Sequence, residues 1–518
     1  MHSRHFSLTA VCAFALAAIG ADAPPTASAA RNEATFRAAP LAVADGELPP
    51  AVEAEAVGGP LEPGQTIQPI DLTSALRLAG ARDLDIAIAR QRVCQAFAEL
   101  QEARVLWLPS LFLGPNWIRH DGQAQVIEGR IQTISKSSLF LGATAAVGQG
   151  VTGPVPAGGP APVGALSTVL RFSDAIFTPL AARQLVEARD AGVRTASNDA
   201  MLGAAEAYLE LQRAAGRLAI AREAVNESEA LAGLTASYAR NGAGLEGDHR
   251  RVLTERDRRR REVEAAVGEL EVASAELVRR ALLDPRLVVA PVEPPESVLR
   301  LVADGSPIDD LIVTGLRNRP ELAEAHALVE ATIIRLKQAR LRPFIPSLAL
   351  RYSGGGFGGG KDSFFGDFSG RSDADVNLFW ELQNLGLADR AIARQRAAQK
   401  RIASLELMKL QDRVASEVVR AEKSRLSADR QMREAGRAVP EAVASLGLNL
   451  KALREGAGLP GATRPLEVLQ PIQALAQSRS DYLDAVLAYN RAQFRLFHAL
   501  GQPPDPSHPP ATAHAPRD

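Results

Sequence analysis

Leu108-Pro109-Ser110-Leu111 and, in the second half of the chain, Ile345-Pro346-Ser347-Leu348 are the two stretches whose reading decides the fold. Each closes a helical pattern and opens an alternating one. Upstream of the first, Ser74 to Leu106 carries apolar residues at Leu76, Ala79, Leu84, Ile86, Val93, Phe97 and Leu100 with charges between them, which predicts a helix that Pro109 stops. Leu111-Phe112-Leu113 then opens a β segment. Ser138–Val147 and Ala165–Phe172 alternate, with Leu139, Leu141, Ala143, Ala145 and Val147 on one face. The Pro- and Gly-dense stretch from Val151 to Gly164 lies between them, so this reading predicts a β-hairpin over about 108–173 with that stretch as its loop.

Between Pro179 and Pro285 there is no proline, and Ala, Glu, Arg and Leu dominate. Two helices over about 180–284 fit, broken at Asn241-Gly242-Ala243-Gly244. Arms of roughly 40 to 60 residues reach roughly 60 to 90 Å at 1.5 Å per residue. Helices of that length belong to a coiled coil or helical barrel, where neighbours supply the burial one hairpin lacks.

The whole series then recurs. Leu84-Asp85-Ile86-Ala87-Ile88-Ala89 lines up with Pro320-Glu321-Leu322-Ala323-Glu324-Ala325, and the two Pro-Ser-Leu turns line up with each other. Leu348, Leu350 and Tyr352 alternate, as do Ala374, Val376, Leu378 and Trp380 after a glycine-rich loop, which predicts a second hairpin over about 345–381. A second helical hairpin over about 386–500 breaks between Gly456 and Pro465. The expected organisation is a first repeat over 71–285, a linker over 286–306, a second repeat over 307–502 and a Pro-rich tail over 503–518.

The N-terminus reads as a secretory signal over 1–29: Arg4 and His5, an apolar run from Leu8 to Ile19, then Ala27-Ser28-Ala29. Ala21-Asp22-Ala23 is the alternative cleavage motif, but it would leave Pro24 after the cut. Cys12 sits within the apolar run behind Val11, a poor place for lipid attachment. Residues 30–70 read as an extended leader. Past the signal only Cys94 remains, so an intramolecular disulfide and a cysteine metal cluster are both excluded. Its helical setting predicts a small packed side chain. Lys plus Arg number 59 and Asp plus Glu 60, a balance that points to no nucleic-acid partner. Past the signal no apolar run reaches the 18 or so residues of a spanning helix, so a membrane crossing requires strands.

Taken in order, the Ala75-Leu76 helix start, the Leu-Pro-Ser-Leu turn, and Ala488-Tyr489-Asn490-Arg491-Ala492-Gln493 followed by Ala499-Leu500-Gly501 resemble the TolC-like outer-membrane factors over residues 71–502. The resemblance implies a mainly helical chain with a β-barrel part. Each chain would supply four strands, and a homotrimer would close a twelve-stranded outer-membrane barrel continued by a periplasmic α-helical barrel. It implies a passive exit duct in outer-membrane lipid, partnered by a periplasmic adaptor and an inner-membrane pump, with no enzyme activity, metal or cofactor. The hairpin loops Val151–Gly164 and Gly354–Gly370 would face the cell surface. Leu466-Glu467-Val468-Leu469-Gln470 matches the family's gate helix: Glu467 takes the first acidic place, and Gln470 stands where the second acid belongs. Asp248 and Arg464 resemble its polar latch between hairpins, whereas the tyrosine expected nearby is Leu453. The competing reading is a periplasmic coiled-coil scaffold, against which the two matched hairpins argue.

Other motifs weigh less. Gly355 to Lys361 has the spacing of a phosphate loop, but Asp362 stands where Ser or Thr belongs. Asp373, Asp375 and Asn377 imitate a calcium loop, yet Leu378 replaces its glycine. The arginines Arg256 and Arg258 to Arg261 read as a solvated helix face or a protein contact. His120, His249, His326 and His498 show no metal-ligand spacing.

Overall fold

The computed structural model describes residues 66–125, 129–147, 149–152, 167–242, 244–303, 305–455, 465–502 and 511–513. They fall into two compact units.

The first unit holds residues 93–188 and 326–405 and is organised by a sheet. Strands β2 (Pro109–Gln125), β3 (Ile131–Val147), β8 (Ser347–Gly360) and β9 (Ser369–Phe379) pair antiparallel in that order. Of two short strands, β5 (Ser167–Arg171) pairs with the start of β8, and β4 (Gln149–Thr152) pairs with β5. All four helical connections meet one end of this sheet. Helix α2 (Leu84–Arg104) leads into β2, β5 leads into α3 (Phe172–Arg240), α6 (Pro320–Leu341) leads into β8, and β9 leads into α7 (Leu387–Glu455).

This topology corrects the first predicted hairpin. Ser138–Val147 pairs with β2 and β8, and the hairpin turn falls between Gln125 and Ile131. Residues 153–166 lie outside the described residues. Their flanks are described: Thr152 of β4 and Ser167 of β5 are register partners, so the second predicted strand pairs with β4 rather than with Ser138–Val147.

The second correction concerns glycine. Gly354 to Gly360 are strand, and only residues 361–368 turn. Here glycine permits the sheet instead of breaking it. Gly142 is the register partner of Gly355, and a Cβ on Gly355 would lie 2.5 Å from the Gly142 Cα. The stretch with phosphate-loop spacing is thus strand up to Gly360 and enters the turn at Lys361, and Asp373, Asp375 and Asn377 all lie in β9.

The second unit holds the described residues among 66–92, 189–325 and 406–513. Strand β1 (Thr66–Ile70), from the stretch read as leader, pairs in parallel with β6 (Leu287–Pro291), while β7 (Val298–Arg300) pairs antiparallel with β10 (Ala511–Ala513). The helix expected over Ser74–Leu106 is two. Helix α1 (Leu72–Arg82) starts where the Asp71 side chain accepts from the Ser74 N–H, and it stops at Asp83. The Asp83 carboxylate then accepts from the Asp85 N–H at 2.7 Å, so one capping residue ends a helix and begins the next. α3 starts ahead of Pro179 and carries it inside, so that proline does not mark the helix boundary.

The elements of the two halves match in length. α1 and α5 (Ile308–Asn318) each have 11 residues, and α3 and α7 each have 69. Their return arms, α4 (Glu246–Arg280) and α8 (Pro465–Ala499), each have 35. At 69 residues an arm reaches roughly 100 Å, beyond the 60 residues expected from sequence. The core of this unit gathers Ile70, Leu76, Tyr208, Leu211, Leu277, Val289 and Phe494. The Tyr-Asn-Arg-Ala-Gln motif serves it directly: buried Asn490 accepts from the Leu299 N–H at 2.8 Å and donates to the Ser297 carbonyl at 2.7 Å. Gln493 accepts from the Val302 N–H at 3.2 Å, so two side chains of α8 satisfy the backbone around β7.

Candidate functional site

The hairpin turns of the second unit hold the residues the sequence singles out. α3 ends because Gly242 takes a φ of +71°, a left-handed conformation that a glycine adopts without strain. α4 then begins with Glu246 and Asp248 in its first turn, and α8 begins with Pro465 followed by Glu467. Acidic side chains there complement the positive helix end. Glu467 and Gln470, three residues apart, are both exposed on one side of α8, while Val468 between them is fully buried. Asp248 is half-buried. Arg464, and with it the predicted Asp248–Arg464 latch, lies outside the described residues.

Val468 joins Leu231, Val252, Leu446, Leu453, Ile472 and Leu475 in a cluster that binds the two turns together. Each fully buried aliphatic side chain contributes about 1.5–3 kcal/mol, against about 0–1 for an exposed ion pair. Among the described residues, apolar packing dominates this junction. Sequence reasoning missed its polar members. The Tyr238 hydroxyl donates to the Leu453 carbonyl at 3.2 Å, and the Thr235 hydroxyl lies 3.1 Å from His249 Nδ1. Tyr238 is one of only five tyrosines in the chain and sits three residues from the break, which was the available signal.

Further along α4 the arginine run is largely neutralised. Arg256 pairs with Asp257, Arg258 with Glu262, Arg259 with Glu255 and Glu262, and Arg260 with Glu229. Arg259 is buried, which corrects the solvated-face reading at that position. Cys94, expected to be packed, is exposed.

The sheet of the first unit has two different faces. Leu111, Leu113 and Trp117 of β2 point the same way as Leu141 of β3 and Val376 and Leu378 of β9, and this face is apolar and bare: Leu113 is 77% and Val376 67% exposed. The opposite face is polar and charged. Arg351 and Asp375 are direct register partners and are joined Nε to Oδ2 at 2.7 Å, Arg371 holds Asp373 at 2.8 Å, and the Arg371 guanidinium lies 4.9 Å from the Phe357 ring centre. At the helical end, Trp107, Phe344 and Trp380 are exposed, and Trp107 stacks on Phe172 at 5.7 Å. There Glu381 accepts from Gln383 at 3.2 Å and lies near Arg171 and Arg342, which together hold its carboxyl below the usual range. Among the described residues no helix is long and apolar enough to cross a membrane, and no group of three or more His, Cys, Asp or Glu could hold a metal ion.

No family model and no curated protein matches the sequence. Solved structures do. The chain is similar to a membrane protein from Pseudomonas aeruginosa at a TM-score of 0.67 and 20% identity, over 83% of this chain and 92% of that one. The CmeC outer membrane channel of Campylobacter jejuni aligns at 0.67 and 15%, over 84% and 87%. The open state of the MtrE outer membrane channel of Neisseria gonorrhoeae aligns at 0.64 and 17%, over 83% and 89%. The chain has the TolC-like outer-membrane channel fold. The bare apolar face and the two hairpin turns are thus the places where function is to be sought.

Proposed function

We propose that this chain is the outer-membrane exit duct of a tripartite efflux or export system, acting as a homotrimer with a periplasmic adaptor and an inner-membrane pump. The observation that carries this reading is the two-faced sheet. A face with Leu113, Leu141, Val376 and Leu378 bare suits hydrocarbon, and the charged opposite face suits a water-filled lumen. Along β8, the ten residue steps from Leu348 to Gly358 cover roughly 34 Å, or about 26 Å of bilayer at a tilt of about 40°, close to the height of an outer-membrane apolar band.

Among the described residues, β2 and β9 each pair on one side only. Open edges are not tolerated in lipid. Strand directions alternate through β2, β3, β8 and β9, so β9 of one copy laid against β2 of the next continues the antiparallel pattern, and three copies close twelve strands. The matched element lengths support two tandem repeats. The turns would then line the periplasmic mouth, where three Glu467 carboxylates attract cations. No residue is assigned a catalytic role. A periplasmic scaffold is the poorer reading, because it leaves the apolar face in water.

Mass measurement in mild detergent, followed by planar-bilayer recording, tests the proposal. A trimer with discrete conductance is expected. A monomer that leaves cells in detergent-free buffer would overturn it.

A further inference from the structure

The turn between β8 and β9, Lys361-Asp362-Ser363-Phe364-Phe365-Gly366-Asp367-Phe368, folds back onto the apolar face of the sheet. Gly356 and Gly358 share that face with their register partners Leu141 and Leu139, and together they leave a groove without side chains. The Phe368 ring fills it: a Cβ on Gly358 would lie 2.7 Å from Phe368 Cδ2, and one on Gly356 would run into the same ring. Phe364 packs on Trp117 at 5.4 Å, and Phe365 on Phe368 at 6.3 Å. Backbone groups of the turn are held as well. The Gly359 N–H donates to the Gly366 carbonyl at 2.8 Å, and the Ser137 hydroxyl donates to the Ser363 carbonyl at 3.0 Å.

This arrangement leaves four aromatic rings at the turn end of the apolar face, with Phe365 70% exposed. Just beyond them the same face becomes polar, at Ser135, Ser137, Arg119 and Asp121, the last two paired at 2.6 Å. Aromatic side chains concentrate at the bilayer–water boundary, where the ring is partly dehydrated beside polar groups. The rings sit where apolar wall gives way to polar wall, in continuity with the lipid-facing surface.

We propose that Phe364, Phe365 and Phe368, seated by the Gly356–Gly358 groove, form a lipid-interface anchor that binds the headgroup boundary of the outer leaflet together with Trp117. The occupant is lipid. This proposal rests on the channel reading, which sets the apolar face in the bilayer.

The test uses the full chain with Cys94→Ser, reconstituted into phosphatidylcholine vesicles, with a small fluorophore on Phe365→Cys, or on Leu113→Cys in mid-strand. Phosphatidylcholine carrying a nitroxide at the headgroup or deep in the acyl chain, and aqueous iodide, are the quenchers. Expected are loss of the Phe365→Cys signal mainly to headgroup nitroxide and loss of the Leu113→Cys signal to acyl-chain nitroxide. If Leu113→Cys responds to lipid while Phe365→Cys responds to iodide alone, the anchor is overturned and the channel stands. If Phe365→Cys responds to neither, a neighbouring protein covers the rings and the proposal also fails. If Leu113→Cys also meets only iodide, both readings fall. Adding Phe368→Ala should shift the Phe365→Cys signal from lipid to iodide quenching; an unchanged signal would refute the seating role of Phe368.

Discussion

Tyr238, near the end of the first hairpin's long arm, donates its hydroxyl to the carbonyl of Leu453, near the end of the second, at 3.2 Å. Leu453 lies in the last turn of α7, where carbonyls lack partners within the helix, so the tyrosine completes that helix end and ties one turn to the other. The sequence pointed to a missing tyrosine at position 453. In the fold a tyrosine reaches that position's backbone from the opposite hairpin. Tyr238→Phe should weaken the junction by about 1 kcal/mol. In planar bilayers the proposed channel should then open more frequently, with its oligomeric state unchanged; unchanged gating would place the closing contact elsewhere.

Charge at the turns gives a second expectation. Glu467→Ala should lower cation selectivity in the same recordings, and Gln470→Glu, one turn along the same exposed side, should raise it. Arg464→Ala should raise conductance. Reversal potentials that stay constant for both changes at 467 and 470 would remove this region from the selectivity filter.

The paired glycines in the sheet should be irreplaceable. A Cβ on Gly142 would lie 2.7 Å from the Phe140 ring and 2.8 Å from the Gly355 Cα, and backbone cannot move aside without breaking the ladder. Gly142→Ala should cost about 1–3 kcal/mol and reduce the yield of folded, membrane-inserted protein. Gly370→Ala, with nothing within 4 Å, is the control and should assemble normally.

Asn490 should matter for folding. Asn490→Leu leaves the Leu299 N–H and the Ser297 carbonyl without their partner, at a cost of about 1–3 kcal/mol for each buried group left unsatisfied. Limited proteolysis around residues 295–302 should become faster. Equal protease resistance of variant and parent would show that another group takes over.

Acidity provides the last expectation. Glu293 accepts from the Leu72 N–H at 2.9 Å and bonds the Tyr208 hydroxyl, yet burial, with the Asp71 charge adding to it, lifts its carboxyl above the ordinary range. The folded state therefore holds this proton more tightly than the unfolded chain does. That contribution is complete below the ordinary carboxylate pKa near 4.5 and is lost as pH rises through the folded value. Glu293→Gln keeps an acceptor for Leu72 without the charge, so it should raise the unfolding temperature at neutral pH and flatten the dependence between pH 4.5 and 7 relative to the parent. A parallel pH dependence in both proteins would contradict this account.

Periodicity, proline placement and the duplicated Pro-Ser-Leu turns were enough to read two helical hairpins, the breaks at Gly242 and after Glu455, and the alternating faces of β3, β8 and β9. These are local properties: helix and strand periods depend on neighbours within a few residues, and Gly or Pro acts where it stands. Strand pairing is not local. Ser138–Val147 has the same alternation whether it meets Ala165–Phe172 or Pro109–Gln125, and only the tertiary structure chose the latter. Glycine shows the same division, because Gly354 to Gly360 reads as a loop until Gly142 is found opposite. The candidate gate was legible in part, since Glu467 and Gln470 follow from a motif, whereas Tyr238 and Leu453 lie in different halves of the sequence. What the sequence determined by itself was which elements form and in what order. Which surfaces meet was decided by packing between distant residues, since burial and hydrogen-bond satisfaction are settled only once both partners are in place.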